Sequence, residues 1–201
     1  MEEMVDEKLP ATVDRSAPET ADWNRFASDD WTILFQSIAR GDRSALHDLY
    51  DLAATSLYGF ALWRTHSPED AADIVQEVFV KVAQQGPRLA QIRKPKTWLL
   101  TVARRLTIDL ARRRKVREAD ELDEHPYLEA AAADPVRSLD TQRASTHLAR
   151  LPDKQRDAIY LKHFADCSFS DIGRIVGVPT FTAASRYRTG MERLRRLMEE
   201  P

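Results

Sequence analysis

The sequence predicts an all-α fold of two small helical domains joined by a flexible linker, with a helix-turn-helix in the C-terminal domain. Apolar residues recur at helical spacing in several separate segments. No segment alternates apolar and polar residues for long, and the 201-residue chain has only six glycines. A β-sandwich or barrel needs alternating strands and many turns, so neither is expected.

Composition narrows the classes of function. The apolar fraction of 43% supports a packed core. The single cysteine, Cys167, excludes a disulfide within one chain and a cysteine-based zinc site, and we expect it to be buried. The five histidines show no metal-ligand spacing, so no metal or other cofactor is expected. No apolar stretch approaches the roughly 18–20 residues of a membrane span, and no signal peptide is evident, so we predict a cytoplasmic protein without membrane insertion.

Charge is strongly segregated along the chain, although the formal net charge is only −2. Residues 88–118 carry a net charge of +9 and residues 142–201 carry +4, whereas residues 119–141 carry −6. Basic segments of this strength favour a polyanionic partner such as nucleic acid. The alternative is a solvated helical surface with no partner.

An N-terminal domain of four helices is predicted over residues 29–118, after a disordered acidic tail over residues 1–28. The first helix covers residues 31–41, and the second carries its apolar face over residues 46–60.

Helix-start signals place the remaining helices of this domain. Residues 67–70 begin the third helix, because the serine can cap it, the proline suits its first turn and the aspartate occupies the capping-box position. A loop over residues 86–94 follows, and the fourth helix covers residues 95–115.

An acidic linker over residues 119–141 leads to the C-terminal domain, residues 142–201. There, a capping box at residues 168–171 opens a short helix, Gly177 allows a tight turn, and a longer basic helix begins near Thr180. This order is typical of a DNA-binding helix-turn-helix, and an ordinary helical hairpin is the alternative. The residues expected at the base edges are Thr182, Ala184, Ser185, Arg186 and Arg188.

The N-terminal domain has a second candidate nucleic-acid site, centred on Trp98. Aromatic stacking combined with neutralisation of phosphates suits single-stranded nucleic acid, whereas a core position is the common alternative for a helical tryptophan. The neighbouring cations are Arg93, Lys94, Lys96, Arg104 and Arg105.

The third helix has an acidic polar side, which would repel DNA. It is therefore expected to meet a basic protein surface or to be merely solvated. Its residues are Asp70, Asp73, Gln76 and Glu77.

Two blocks of motifs in this sequence resemble the sigma factors of bacterial RNA polymerase. Residues 68–79 (PEDAADIVQEVF) and 98–114 (WLLTVARRLTIDLARRR) are similar to their second conserved region. Residues 151–156 (LPDKQR), 169–173 (FSDIG) and 182–188 (TAASRYR) are similar to the fourth. The presence of these two regions alone resembles the extracytoplasmic-function (ECF) class.

The resemblance implies core RNA polymerase and promoter DNA as partners, and an anti-sigma factor as a potential third. The acidic helix would dock on the polymerase clamp, and the helix-turn-helix would bind the −35 element. The segment 86–115 would open the −10 element and hold one strand. The residues implied there are Arg93, Lys94, Lys96, Trp98, Arg104, Arg105, Arg112 and Arg113.

The sequence departs from the family pattern at two single residues and in one three-residue stretch. Arg105 stands where Asn is frequent, and Ala72 replaces a Glu in the clamp-binding motif. Residues 189–191 are Thr-Gly-Met rather than Arg-Ala-Arg. Within a helix, Gly190 is expected to cost about 1 kcal/mol relative to Ala.

Two other classes of function are alternatives to a sigma factor, namely a stand-alone regulator and an enzyme. A stand-alone helix-turn-helix regulator would bind duplex DNA without polymerase, but it leaves the Trp98 region without a role. An enzyme would need a convergent catalytic cluster or a phosphate-binding glycine loop, and the sequence shows neither. We therefore assign no catalytic residues.

Overall fold

The computed structural model describes residues 28–120, 147–148 and 150–199. Nearly all of the predicted acidic tail and most of the linker lie outside these residues. The described part contains no β-strand, which confirms the all-α prediction. Its helices are α1 (Ser28–Ala39), α2 (Arg43–Thr65), α3 (Pro68–Gln85), a 3-10 helix (Gly86–Gln91), α4 (Pro95–Asp120), α5 (Asp153–His163), α6 (Phe169–Val176) and α7 (Thr180–Glu199).

Side-chain caps fix several helix starts. The Asp42 carboxylate accepts hydrogen bonds from two backbone N–H groups at the start of α2. The Ser67 hydroxyl accepts from the Asp70 N–H at 3.3 Å at the start of α3, as predicted. His66, which ends α2, adopts a left-handed conformation with φ of 55°.

The helix-turn-helix forms as predicted from α6, a turn and α7. The Ser168 hydroxyl accepts a hydrogen bond from the Asp171 N–H at 3.1 Å and caps α6. Gly177 ends α6 with φ of 72°, a conformation that glycine adopts without strain.

The segment between α3 and α4 differs from the predicted loop. Its residues Gly86–Gln91 form a 3-10 helix that places Leu89 fully in the core. The segment packs against α1. Helix α2 differs from the prediction at one position of its apolar face. Tyr50 lies within that face but is exposed, and its ring lies 4.8 Å from the ring of Phe79.

One apolar core extends through both domains. Phe35, Phe60 and Leu99 are fully buried in the N-terminal domain, and Leu161 and Ile172 of the C-terminal domain belong to the same cluster. The described parts of the two domains are thus packed against each other. The sequence patterns did not predict this contact.

Gly190 has a packing role that offsets its low helix propensity. A Cβ at this position would lie 3.0 Å from Ile159 Cδ1 and 3.1 Å from Gln155 Cβ. The glycine therefore lets α7 approach α5 closely, and a second small cluster, which includes Leu148 and Leu151, lies beside this contact.

Candidate nucleic-acid interface

Helix α7 presents one face to solvent and buries the other. Ala183 and Gly190 lie on the buried face. Arg188 is exposed, and the other residues expected at base edges are partly exposed: Thr182, Ala184, Ser185 and Arg186. All five positions lie in the first half of α7, which is the part of a recognition helix that enters the major groove.

The short helix α6 is tied to the N-terminal domain. Lys94 Nζ lies 2.6 Å from Asp171 Oδ1. Burial raises the pKa of the Asp171 carboxyl, but hydrogen bonds from Lys94 and Ser168, with the charges of Lys94 and Arg174, hold that pKa below its ordinary value. The carboxylate is therefore charged and pairs the two domains at neutral pH.

The basic segment over residues 93–113 begins just before α4, and some of its cations pair with carboxylates. Lys94 and Arg104 pair with carboxylates of the C-terminal domain, and Lys96 is partly buried. The exposed members of the predicted −10 set are Arg93, Lys94, Arg105, Arg112 and Arg113, and of these Lys94 is paired with Asp171.

Trp98 is partly buried in the structure. Its ring is partly buried against the core, 6.0 Å from the ring of Phe35 in an edge-on arrangement. The residue is not fully enclosed by this packing. Only part of this side chain is therefore free to stack on a base in the described conformation.

Asp157 is the centre of an ion-pair cluster between the domains, formed with Arg64 and Arg104. Its side chain is only 2% exposed, and its carboxylate oxygens lie 2.7 Å from Arg64 Nη1 and 3.2 Å from Arg104 Nε. Arg104 was expected from the sequence to contact DNA, whereas no role was expected for Arg64 or Asp157. One feature of the sequence could have indicated this buried contact: Asp157 lies on a helix face that is otherwise apolar and carries Ala158 and Leu161.

An aromatic contact lies beside the Asp157 cluster. The ring of Tyr160 lies 5.5 Å from that of Phe60 and 5.3 Å from that of Trp63. Its hydroxyl would be 3.2 Å from a Cβ at Gly59, so the absence of a side chain there makes room for it. Charged and apolar contacts together thus hold α5 against α2.

The predicted acidic face of α3 is only partly a solvent surface. Asp73 and Gln76 are exposed, and Glu77 is half-exposed and lies 2.9 Å from Lys81. The Asp70 carboxylate instead lies 2.5 Å from Arg114 Nη2 and is 14% exposed. Asp70 therefore joins α3 to α4.

Cys167 is buried, as expected. Burial is the main cause that raises the pKa of its thiol to about 11. A thiol with this pKa is protonated at neutral pH, which fits a packing role.

Neither a membrane span nor a metal cluster was found within the described ranges. None of the helices there is long and apolar enough to cross a bilayer. No group of three or more potential metal-ligating His, Cys, Asp or Glu side chains occurs in the same ranges.

Fold and surface chemistry together define a two-domain helix-turn-helix DNA-binding protein with a second basic surface. Residues 49–117 match the family described as sigma-70 region 2, and residues 147–196 match sigma-70, region 4. The chain belongs to the sigma-70 family of RNA polymerase sigma factors and to its ECF class. It is therefore a promoter-specific initiation factor that binds core RNA polymerase, and the stand-alone regulator is not favoured.

Curated relatives resemble the chain over most of its length. The ECF RNA polymerase sigma factor SigW of Bacillus subtilis (strain 168) is 28% identical over 177 residues, which cover 82% of this chain and 95% of SigW. The ECF RNA polymerase sigma factor RpoE of Cereibacter sphaeroides is 29% identical over 175 residues, which cover 84% of this chain and 95% of RpoE.

A solved structure supports the same assignment. The sigma factor RpoE in complex with the anti-sigma factor NepR from Bartonella quintana superposes with a TM-score of 0.68 at 25% sequence identity. The superposition covers 77% of this chain and 96% of that one.

Proposed function

We propose that the two domains contact different parts of the transcription machinery. The domain over residues 29–118 would dock on core polymerase and hold the −10 strand, and the domain over residues 142–201 would bind the −35 duplex. The single observation that carries this division is the separation of an acidic helical face from two basic surfaces within one fold.

The docking surface on α3 consists of Asp73, Gln76 and Glu77, which are exposed or half-exposed. Asp70 would support this surface indirectly, because its contact with Arg114 fixes α3 against α4. Ala72 is also exposed, so the departure from the family motif removes one carboxylate from the surface without disturbing the core.

The −10 surface would form in two stages. Arg93, Arg105 and the arginines at 112–113 are exposed and can meet the single strand directly. Lys94 and Arg104 would become free only when the C-terminal domain moves away, because Asp171 and Asp157 belong to that domain. Binding of polymerase and promoter would thus compete with the contact between the domains.

The −35 surface is the exposed face of α7. Arg188 and the partly exposed Arg186 supply positive charge near the base edges. This surface does not require the domains to separate, since the buried face of α7 packs within its own domain, against α5 and α6.

The family is one of non-catalytic initiation factors, and we assign this chain no enzymatic activity. We place it in the cytoplasm, where core polymerase acts. A restraining anti-sigma factor fits the likeness to the RpoE–NepR complex, and its surface on this chain is not assigned.

Charge reversal on α3 tests the docking role. The double variant Asp73→Lys/Glu77→Lys should bind core polymerase at least about tenfold more weakly in a fluorescence titration, because like charges then face the clamp. The matched control Asp48→Lys/Asp51→Lys makes the same charge change at exposed positions of α2 and should retain the parental affinity. Equal affinities for the two variants, with normal helicity, would refute the docking surface.

A further inference from the structure

Phe181 is an exposed aromatic residue in the first turn of α7. Its 77% exposure exceeds that of every other large hydrophobic side chain in the described ranges. Another exposed aromatic, Phe164, at least stacks on Tyr160 at 5.0 Å, whereas no ring contact of Phe181 occurs among the described residues. Phe181 is therefore available to a partner.

The position of Phe181 on α7 determines which partner it would meet. Residues three, four and seven positions later on a helix share its face, and these are Ala184, Ser185 and Arg188. The opposite face carries the buried Ala183 and Gly190. Phe181 thus lies on the face proposed to contact the −35 duplex, at the N-terminal end of that face.

Charge on the same helix favours DNA over an apolar protein surface. Five arginines lie in α7 against two glutamates. Such a helix is attracted to phosphates, and apolar side chains at its N-terminal end meet the floor of the major groove. The apolar feature that the major groove offers is the 5-methyl group of thymine.

We propose that Phe181 is a specificity-determining residue that packs on a thymine 5-methyl group in the −35 element. This inference rests on the proposed −35 role of α7. It adds an apolar contact to the polar and cationic contacts assigned above, and it predicts that this sigma factor distinguishes thymine from uracil at one −35 position.

The experiment uses the full chain with core polymerase on a promoter duplex selected by that holoenzyme. Each −35 thymine on either strand is replaced singly by deoxyuridine, which removes only the methyl group. One replacement should weaken binding by the parent about fourfold, as expected for one buried methyl-sized group. Phe181→Ala should bind the unmodified duplex about as weakly as the parent binds the replaced duplex. The replacement should not weaken binding by Phe181→Ala any further.

Two further variants sharpen the test. Met198→Ala removes a 60% exposed apolar side chain at the other end of α7 and should retain the uracil sensitivity. Phe181→Leu keeps an apolar side chain at this position and should retain part of the uracil sensitivity.

Three results would overturn the proposal. The first is that no uracil replacement weakens binding by the parent. The second is that Phe181→Ala is as sensitive to the replacement as the parent. The third is that the only defect of Phe181→Ala is weaker binding to core polymerase. None of them affects the proposed −35 role if Arg188→Ala still weakens binding to the same duplex. Loss of that arginine effect as well would count against the −35 assignment itself.

Discussion

Arg64 and Asp157 lie 93 positions apart in the chain, yet Arg64 Nη1 contacts Asp157 Oδ1 at 2.7 Å. Arg64 belongs to α2 of the N-terminal domain and Asp157 to α5 of the C-terminal domain. Both side chains are at most 10% exposed, so the pair is shielded from water. Arg104 Nε lies 3.2 Å from the second carboxylate oxygen, so one carboxylate holds two guanidinium groups.

Removal of Asp157 should strongly weaken the contact between the domains. The variant Asp157→Ala leaves two largely buried guanidinium groups without their carboxylate, and loss of one partner of a buried pair costs about 3–5 kcal/mol. Urea denaturation should show this loss in the free energy of unfolding. Glu77→Ala, which breaks the exposed pair with Lys81, should cost about 1 kcal/mol or less. A similar small loss for both variants would contradict the structural role of Asp157.

His66 should make stability depend on pH. Burial is the main cause that lowers the pKa of its imidazole below 6.5, and Arg156 and Arg64 add to the effect while Asp153 opposes it. The unfolded chain therefore binds the proton more readily, so the contribution to stability is full above pH 6.5 and is lost as pH falls below it.

Substitution of His66 separates the effect of its protonation on stability from the effect of its left-handed backbone conformation. Asn tolerates the left-handed conformation, so His66→Asn should keep the helix end and flatten the decline of the melting temperature between about pH 7 and pH 5. His47→Asn, at a 74% exposed position, should leave the decline unchanged. An unaltered pH profile in His66→Asn would show that other groups cause the decline.

Cys167 should react slowly with iodoacetamide while the protein is folded. Its pKa of about 11 keeps the thiol protonated, and ionisation alone should slow alkylation about 100-fold relative to the urea-unfolded chain near pH 8. Mass spectrometry of the alkylated fraction over time measures both rates. Comparable rates in the two states would show that the thiol is accessible.

Neutralisation of exposed α4 arginines should impair strand opening without weakening the fold. Arg105→Ala/Arg113→Ala removes two exposed charges, whereas Arg104→Ala would also disturb the Asp157 cluster. The salt slope of open-complex formation, followed by permanganate reactivity of promoter thymines, should fall by about 1.4, because each single-strand phosphate contact contributes about 0.7. Arg40→Ala/Arg43→Ala makes the same charge change elsewhere and should leave the slope intact. The same slope in both variants would mean that the α4 arginines do not contact the strand.

Local signals in the sequence sufficed for the helices and for the helix-turn-helix. The caps at Ser67 and Ser168 and the turn at Gly177 depend on neighbours within a few residues, and the structure confirms them. The prediction of a loop over residues 86–91 was wrong because local patterns do not show packing against a distant helix. These residues form a 3-10 helix with a buried leucine, Leu89, and the segment packs against α1.

The contact between the domains could not be predicted from local patterns. Arg64 lies in an amphipathic helix where a charged side chain is unremarkable, and its partner is known only once the two domains are placed together. Two cations of the predicted −10 set, Lys94 and Arg104, are engaged by that contact. Their roles at the strand therefore remain predictions, as do those of the other predicted site residues.

As a sigma factor, this chain should direct core RNA polymerase to a defined class of promoters. The most direct measurement is transcription in vitro from a library of random double-stranded fragments, with core polymerase alone and with the purified chain added. The chain should select templates that share a −10 and a −35 element at fixed spacing, and transcripts should start at one distance from these elements. Unselected templates in both reactions, with no binding of the chain to core polymerase, would contradict this expectation.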